Sequence, residues 1–376
     1  MRKILEKFGF FPRICVWELT LACNMRCGHC GSRAGLPRPN ELTPDEAQRV
    51  CHELADLGCR RVTLSGGEPT MRKDWPEIAK TLVSRGVKVN MVSNGWAWTE
   101  ETVARAKEAG LVNVCFSIDG LEQTHDQIRR AGSFGRSMKA FEACKKVGLP
   151  TASIMTINRK NLEQLDAVHD MLVSIGVTLW QPQLSDAMGN QRDNIDWAFH
   201  PEELPAIEAK LGELMRRSSL RITVGDNIGF YGPNEELFRK ESSFGFWVGC
   251  FAGCQVVGIE SDGDIKGCLS QQDEAFVEGN LRQNSFKEIW NKKGAFAYNR
   301  EFDVSQLQGF CRDCRYNDIC RGGCTCSAHF ASGDRFDNPF CVYRVLELQK
   351  RGVVERIGTE REVDESKLPC NPAVAG

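Results

Sequence analysis

The ten residues "ACNMRCGHCG", from Ala22 to Gly31, contain three cysteines, separated by three residues and then by two: Cys23, Cys27 and Cys30. Four thiolates close a structural zinc or iron–sulfur site, so three on one short segment leave a metal position open. In a [4Fe–4S] cube, that position is one iron atom free to bind another molecule. Two other interpretations remain at this point, namely a zinc site completed by His29 and cysteines that are simply buried.

A second group of cysteines lies towards the C-terminus. Four of them follow the spacing C-x2-C-x5-C-x3-C, one comes later and three come earlier, in the order Cys250, Cys254, Cys268, Cys311, Cys314, Cys320, Cys324 and Cys341. Eight cysteines are enough for two four-thiolate sites. A zinc ribbon is one reading, but this density favours iron–sulfur clusters. The spacing allows Cys324 to join either its neighbour Cys320 or the upstream three.

Composition narrows the class of protein. The chain has 376 residues, 18 cysteines and a net charge of −2. The charge gives no electrostatic reason to expect nucleic acid or an anionic membrane as a partner. No apolar run approaches the roughly 20 residues needed to span a bilayer, and the N-terminus shows no signal-peptide pattern. We therefore expect a cytoplasmic protein whose thiols stay reduced and bind metal.

The elements that must position these cysteines follow an alternating pattern between residues 14 and 184. Six short β-rich runs alternate with amphipathic stretches of helical periodicity. The pattern predicts an α/β fold, a partial (β/α)6 TIM-like barrel, with a small cysteine-rich C-terminal domain. We expect a core barrel at 1–184, a helical and irregular connection at 185–248, the cysteine-rich domain at 249–345, and a C-terminal helix and tail at 346–376.

Polar residues follow several of the predicted strands, giving "SGGEPT", "SNG" and "SIDG". In a β/α barrel the carboxyl ends of the strands build the active site. Gly66 and Gly67 expose backbone beside the Glu68 carboxylate, a combination that fits an ammonium group. Ser117 and Asp119 could hydrogen-bond a sugar hydroxyl.

Taken together, these motifs resemble the radical SAM enzymes. Cys23-x3-Cys27-x2-Cys30 matches the family's cluster motif, with the ring residue His29 before the last cysteine. The resemblance implies that the open iron binds S-adenosylmethionine and that an external donor such as a flavodoxin or ferredoxin reduces the cluster. It implies a 5′-deoxyadenosyl radical that abstracts hydrogen from the substrate. It also implies a cofactor pocket formed by Gly66, Gly67, Glu68, Ser93, Asn94, Ser117 and Asp119, with Thr156 and Asn158 as further candidates.

The C-terminal cysteines resemble the SPASM extension of radical SAM enzymes, including "GxxxxC" at Gly263–Cys268 and "RGGC" at Arg321–Cys324. That resemblance implies interleaved ligation of two auxiliary [4Fe–4S] clusters, and therefore three clusters in all. One would take Cys250, Cys254, Cys268 and Cys324; the other would take Cys311, Cys314, Cys320 and Cys341.

Seven cysteines are left over, and two of them are candidate catalytic residues. Cys115 shares strand parity with Ser117, so it could face the barrel interior. Cys326 lies beside a cluster ligand. We expect the other five to be inert: Cys15, Cys51, Cys59, Cys144 and Cys370.

The sequence indicates the type of reaction more clearly than it indicates the substrate. The SPASM resemblance implies a peptide or protein substrate that is oxidatively modified, for example by a crosslink or a dehydrogenation. Only 22 residues precede Cys23, so we expect any leader-binding domain to be a separate protein. The alternatives are dehydrogenation or epimerisation of a small molecule such as an amino sugar and, in another class, a non-catalytic metal-binding or electron-transfer protein.

Overall fold

The computed structural model describes residues 9–356, and its centre is one curved sheet. All six strands expected from the alternating pattern are present, and four more join them. The strands are β1 (Ile14–Glu18), β2 (Arg61–Ser65), β3 (Lys88–Ser93), β4 (Asn113–Ser117), β5 (Thr151–Ile157), β6 (Leu179–Leu184), β7 (Arg221–Ile222), β8 (Val256–Ile259), β9 (Asp264–Lys266) and β10 (Gly279–Asn280).

Strands β1 to β7 lie side by side in chain order and pair in parallel. Every strand from β1 to β6 contributes residues to the lining of a single interior cavity, which shows that the sheet curves around it; examples are Val16, Thr63, Asn90, Cys115, Ile154 and Gln181. The fold is therefore the expected α/β partial barrel, open between the edge strands β7 and β10.

The cysteine-rich part of the chain continues the same sheet. Strand β8 pairs in parallel with β1, with Ile14 opposite Val256, and β9 and β10 follow as antiparallel strands. Fully buried aromatic residues such as Trp17 on β1 and Trp290 belong to one hydrophobic core. The hairpin of the C-terminal region is therefore anchored on the first strand of the barrel.

Helices connect the barrel strands and mostly follow the predicted amphipathic stretches, and further short helices lie in the connection and the cysteine-rich region. They are α1 (Pro44–Asp56), α2 (Trp75–Ser84), α3 (Glu100–Glu108), α4 (Glu122–Ile128), α5 (Ser133–Val147), α6 (Leu165–Ile175), α7 (Asn190–Asp193), α8 (Leu204–Arg217), α9 (Glu235–Phe238), α10 (Phe286–Asn291), α11 (Ala297–Arg300), α12 (Gly309–Asp313), α13 (Asn317–Cys320), α14 (Thr325–Ser332) and α15 (Val342–Gln349). Within residues 9–356 no helix has the length and apolarity to cross a membrane.

Local signals explain where these helices begin and end. Thr43 and Glu46 form a capping box at the start of α1, with Pro44 in the first turn. Gly148 and Gly176 end α5 and α6 in the left-handed conformation, at φ 69° and 83°. Helix α5 begins at Ser133, after Gly132, and a separate short helix, α4, precedes it.

Candidate functional site

The three-cysteine loop follows the carboxyl end of β1, and its cysteines line a cavity of about 560 Å³. The loop is held by its own backbone, since the Cys23 N–H donates to the Gly35 carbonyl at 3.1 Å and the Cys30 N–H donates to the Cys27 carbonyl at 3.2 Å. The Ala34 N–H lies 3.4 Å from the Cys30 sulfur. Burial raises the pKa of Cys27 to about 12, and the nearby Arg129 charge opposes that rise.

A segment just beyond β6 holds the loop from its outer side. The Asn190 side chain donates to the Cys27 carbonyl at 2.9 Å, and its backbone N–H donates to the Cys30 carbonyl at 2.9 Å. The Asn194 side chain donates to the Gly28 carbonyl at 3.0 Å. A Cβ on Gly28 would clash with the Trp197 ring, so the two segments pack without a gap. This role was not predictable from the sequence, because the stretch after residue 184 has no regular pattern.

Gly66 and Gly67, which the sequence analysis assigned to cofactor binding, line the same cavity as the cysteine loop. The Gly67 N–H donates to the Thr20 carbonyl at 2.8 Å. A Cβ on either glycine would clash with backbone carbonyl oxygens at the start of the cysteine loop, and Gly66 has φ 138°. Glycine is therefore needed here so that two backbone segments can approach closely.

The Glu68 side chain does not reach the cavity, unlike the expectation that it would accept an ammonium group. It is fully buried. Its carboxylate accepts from the Ser93 hydroxyl at 2.9 Å, the Asn94 N–H at 2.8 Å and the Thr70 hydroxyl at 2.6 Å. Burial raises the pKa of Glu68, and these hydrogen bonds oppose the rise. Glu68 therefore braces the turn whose backbone lines the cavity.

Ser93 and Asn94 both line the cavity at the end of β3. The Ser93 hydroxyl is already used, because it donates to Glu68 and accepts from the Trp98 ring N–H at 2.8 Å. The Asn94 amide donates to the Asn24 side chain at 2.7 Å and lies 3.9 Å from the Cys23 sulfur. Asn94 is thus the side chain that connects the end of β3 to the cysteine loop.

Asp119, predicted to contact a sugar hydroxyl, lies behind the cavity wall, and its oxygens are occupied. They accept from His29 Nε2 at 2.5 Å, Arg129 Nε at 2.6 Å and the Thr156 N–H at 2.8 Å. Burial alone would raise the pKa of Asp119, but the Arg129 and His29 charges outweigh it and hold that pKa far below its usual range. Asp119 orients Arg129 and His29.

Of the remaining predicted cofactor residues, Ser117 and Thr156 line the cavity. Asn158 lies outside this lining, fully buried in the turn after β5, where its side-chain oxygen accepts from the Lys160 N–H at 2.9 Å. It supports the turn.

Arg129 is the functional residue that the sequence reasoning missed. It follows α4 and lines the cavity beside the cysteine loop. Its Nε is bonded to Asp119, and no residue within 9–356 pairs with its terminal nitrogens, which leaves them for an anion. The string "IRRAG" contains nothing that marks the first arginine, because its orientation depends on a hydrogen bond to Asp119, ten residues earlier in the chain.

The eight C-terminal cysteines form two separate groups in space. The first joins Cys324 to the upstream cysteines: burial raises the pKa of Cys324, and the charges of Cys250 and Cys268 add to that rise. Cys250 in turn acts on the pKa of Cys254, which burial raises to about 11. Cys268 and Cys324 also line the cavity of the three-cysteine loop, at its far side.

The second group surrounds a small pocket of its own, lined by Cys311, Cys314, Cys320 and Cys341. Burial raises the pKa of Cys320, and the charges of the other three add to that rise. Aromatic rings complete the pocket, with the rings of Tyr231 and Tyr316 stacked at 3.9 Å. The structure thus separates Cys320 from its sequence neighbour Cys324, and each group has the four thiols that a closed iron–sulfur site requires.

The two candidate catalytic cysteines lie in different places. Cys326 faces the main cavity and donates a hydrogen bond to the Cys268 sulfur, which lowers the pKa of Cys268 to about 7. Cys115 lies in the barrel interior, where burial raises its pKa to about 12. Four others are buried away from the cavity, namely Cys15, Cys51, Cys59 and Cys144, whereas Cys370 lies outside the described residues.

This donor set fits the cofactors implied by the sequence. Three thiols on one loop leave one position of an iron–sulfur cube open to the cavity. The backbone of Gly66 and Gly67 and the free guanidinium nitrogens of Arg129 border the same space. A molecule carrying both an ammonium and a carboxylate group can therefore be held here at both of its charged ends.

Comparison with known proteins agrees with this site. A profile of the radical SAM superfamily matches residues 17–172, and a profile of the SPASM iron–sulfur cluster-binding domain matches residues 250–315. The chain is 29% identical over 348 residues to AdoMet-dependent heme synthase of Methanosarcina barkeri, covering 89% of this chain and 97% of that protein. It is 30% identical over 344 residues to mycofactocin maturase MftC of Mycobacterium tuberculosis, covering 90% of this chain and 85% of that protein.

Two solved structures share the fold at lower identity. SuiB of Streptococcus suis bound to S-adenosylmethionine has a TM-score of 0.73 and 18% identity, covering 89% of this chain and 79% of that one. The enzyme anSMEcpe with bound AdoMet has a TM-score of 0.67 and 15% identity, covering 89% of this chain and 95% of that one. The radical SAM profile covers the three-cysteine loop, the SPASM profile covers Cys250, Cys254 and Cys268, and the identity to MftC extends over most of both chains. The protein therefore belongs to the radical SAM superfamily and is an enzyme with a SPASM iron–sulfur domain.

Proposed function

We propose that this enzyme abstracts a hydrogen atom from a peptide substrate and modifies it oxidatively. When bound, the cluster and S-adenosylmethionine supply one-electron cleavage of a C–S bond and a carbon radical that takes hydrogen from the substrate. Cys23, Cys27 and Cys30 hold the cluster. The backbone at Gly66 and Gly67 takes the ammonium group of the cofactor, and Arg129, oriented by Asp119, takes its carboxylate.

The peptide substrate is proposed mainly because of the residues that line the cavity on the side away from the cysteine loop. Between the cysteine loop and Cys268 the cavity presents amide side chains, Gln181, Gln183 and Asn227, together with the Asp226 carboxylate and the Ser270 hydroxyl. Amides donate and accept hydrogen bonds as a peptide backbone does. Among the described residues that line this cavity there is no phenylalanine, tyrosine or tryptophan on which a flat macrocycle could stack, and the one imidazole, that of His29, is bonded to Asp119.

The named relatives support the same class. MftC is a mycofactocin maturase, and one solved structure is SuiB bound to the precursor peptide SuiA. A separate leader-binding protein remains part of the proposal. In this proposal the two cysteine quartets would hold auxiliary [4Fe–4S] clusters, which makes three clusters. The quartet that contains Cys268 and Cys324 would accept an electron from the substrate, and the support for this is that both cysteines line the cavity. Cys326 faces the same space.

A second candidate has its own support. The relative AdoMet-dependent heme synthase is covered over 97% of its length, so a tetrapyrrole substrate is the alternative. A small molecule such as an amino sugar is a further alternative substrate, because no described residue that lines the cavity requires the substrate to be a polymer.

The test uses the reconstituted enzyme with S-adenosylmethionine, dithionite and either a deuterated peptide library or deuterated iron coproporphyrin. We expect deuterium in 5′-deoxyadenosine only with peptide. The variant Gln183→Leu should lower that transfer without changing substrate-independent cofactor cleavage, whereas Gln283→Leu, exposed elsewhere, should change neither. Transfer of deuterium from the porphyrin instead would favour the tetrapyrrole.

A further inference from the structure

A half-buried carboxylate without a cation partner faces the main cavity on the side of the cysteine-rich domain. It belongs to Asp186, which lies two residues beyond the end of β6 and lines the cavity. Its Oδ1 accepts from the Ser327 hydroxyl at 2.8 Å, and its Oδ2 accepts from the Asn227 amide at 3.1 Å. Both donors are neutral, and within residues 9–356 no lysine, arginine or histidine pairs with this carboxylate. Its negative charge is therefore not compensated by any described side chain.

Hydrogen bonds from three parts of the chain hold Asp186 in place. Asn227 is itself fixed, because its side chain accepts from the Leu184 N–H at 3.1 Å and donates to the Leu184 carbonyl at 2.9 Å. Ser327 is buried on α14. The Met188 N–H donates to the Asp186 carbonyl at 2.7 Å. The carboxylate is thus oriented before a ligand arrives, which lowers the entropic cost of binding one.

The other acidic and basic side chains that line the cavity already have partners. Arg129 and His29 are bonded to Asp119, and Asp226 lies 3.7 Å from an arginine. Burial raises the pKa of Asp186, because it disfavours the charged carboxylate, and the two hydrogen bonds oppose that rise. Buried charges in proteins are normally paired. A cation that enters the cavity with the substrate would supply the missing partner.

We propose that Asp186 binds a primary ammonium group of the substrate and so selects peptides that carry one in reach of the cavity. This inference rests on the proposed peptide function and deepens it. A lysine side chain and a free amino terminus both present this group, whose three N–H donors match the unused lone pairs of the carboxylate oxygens. The same carboxylate disfavours an acidic peptide, because two like charges would then lie together away from water.

Binding is tested first, without turnover, by equilibrium dialysis against the reconstituted enzyme. N-acetyllysine amide carries an ammonium on its side chain, norleucine amide carries one at its amino terminus, and N-acetylnorleucine amide has none. We expect one of the two ammonium probes to bind about tenfold more tightly than the neutral probe, because charge-assisted hydrogen bonds are the stronger ones. Which probe does so identifies the source of the group. Absence of any such preference in the wild type would overturn the inference.

Substitutions at Asp186 distinguish recognition of the ammonium group from a structural role. Asp186→Asn should abolish the preference, and Asp186→Glu, which keeps the charge, should retain part of it. The control Asp56→Asn changes an exposed carboxylate at the end of α1 and should retain all of it. An equal loss of affinity for the charged and the neutral probes in Asp186→Asn would mean that Asp186 only supports the fold, and would overturn the inference.

Turnover separates this inference from the proposed function. Deuterated peptides that contain lysine or norleucine, each with a free or an acetylated amino terminus, are compared by deuterium transfer to 5′-deoxyadenosine. We expect transfer to require the same ammonium group that the dialysis identifies. Equally efficient transfer from peptides with no ammonium group would overturn the role of Asp186 alone. No transfer from any of these peptides would overturn the proposed peptide function instead, and the dialysis would still decide whether Asp186 binds an ammonium group.

Discussion

At the scale of single residues, Glu68 shows why a motif does not reveal which atoms face a ligand. The sequence analysis assigned Gly66 and Gly67 to cofactor binding, and both line the cavity at a close backbone contact that only glycine tolerates. It assigned the Glu68 carboxylate to the ligand as well, but that carboxylate accepts from the neighbouring Thr70 hydroxyl and from Ser93 and Asn94 at the end of β3. The sequence analysis missed Arg129 because no motif marks it. Its side chain lines the cavity because of its hydrogen bond to Asp119, which only the structure shows.

Replacing Glu68 by alanine should therefore act mainly on stability. Each buried donor left without a partner costs about 1–3 kcal/mol, so the free energy of unfolding should fall by at least that amount. Glu68→Gln, which keeps an acceptor, should lose less, and Glu101→Ala, exposed on α3, should lose almost nothing. Denaturant titration measures this. A stable Glu68→Ala enzyme that fails to bind S-adenosylmethionine would mean that the carboxylate does contact the cofactor.

His125 predicts a pH dependence of stability. Its side chain is fully buried, and its Nδ1 accepts from the Asp119 N–H at 3.2 Å. Burial lowers the pKa of His125 from 6.5 to about 4. Between these values the unfolded chain binds more protons than the folded one, so stability falls as the pH drops through that window.

From pH 7.5 to 5.5 the contribution of His125 amounts to a loss of about 1.4 kcal/mol in the free energy of unfolding. The variant His125→Asn cannot titrate and should lose that much less over the same range. Parallel unfolding curves at the two pH values provide the comparison. Identical pH dependence in both proteins would show that the imidazole is not held neutral.

At the scale of elements, the cysteine loop depends on the segment around α7, which packs against its outer side. Gly28→Ala should push the loop away from Trp197 and lower the rate of cofactor cleavage, and adding Trp197→Leu should restore part of that rate because it removes the clash. Gly189→Ala is the control variant, because its Cβ would clash with the Cys30 and Gly31 carbonyl oxygens and not with Trp197. Adding Trp197→Leu to Gly189→Ala should therefore not restore the rate. Equal rescue of both variants would contradict this packing.

The elements themselves were predictable where the signals are local. The start of α1 follows from Thr43, Pro44 and Glu46, and the ends of α5 and α6 follow from glycines. The role of residues 188–197 was not predictable, because it consists of side-chain contacts to backbone carbonyls some 160 residues earlier in the chain. The pairing of β8 with β1 was not predictable either, because strands that are far apart in sequence leave no local pattern of their pairing.

At the scale of the whole molecule, the C-terminal region completes the barrel sheet. Removing residues 246–376 would leave β1 without its neighbour β8 and expose the edge beside the buried Cys15 and Trp17. Exposed strand edges promote aggregation. We expect the remaining 245 residues to aggregate in size-exclusion chromatography under conditions where the full chain does not. A monodisperse, folded fragment would contradict this view of one continuous sheet.

The central claim, that the three-cysteine loop carries the radical chemistry, has one direct test. Cys23, Cys27 and Cys30 are replaced together by alanine, and bound iron and 5′-deoxyadenosine are measured after anaerobic reconstitution with S-adenosylmethionine and dithionite. The account predicts about twelve irons in the wild type and about eight in the variant, from four irons per cube, with no 5′-deoxyadenosine formed by the variant. Continued formation of 5′-deoxyadenosine by the variant, at any iron content, would contradict it.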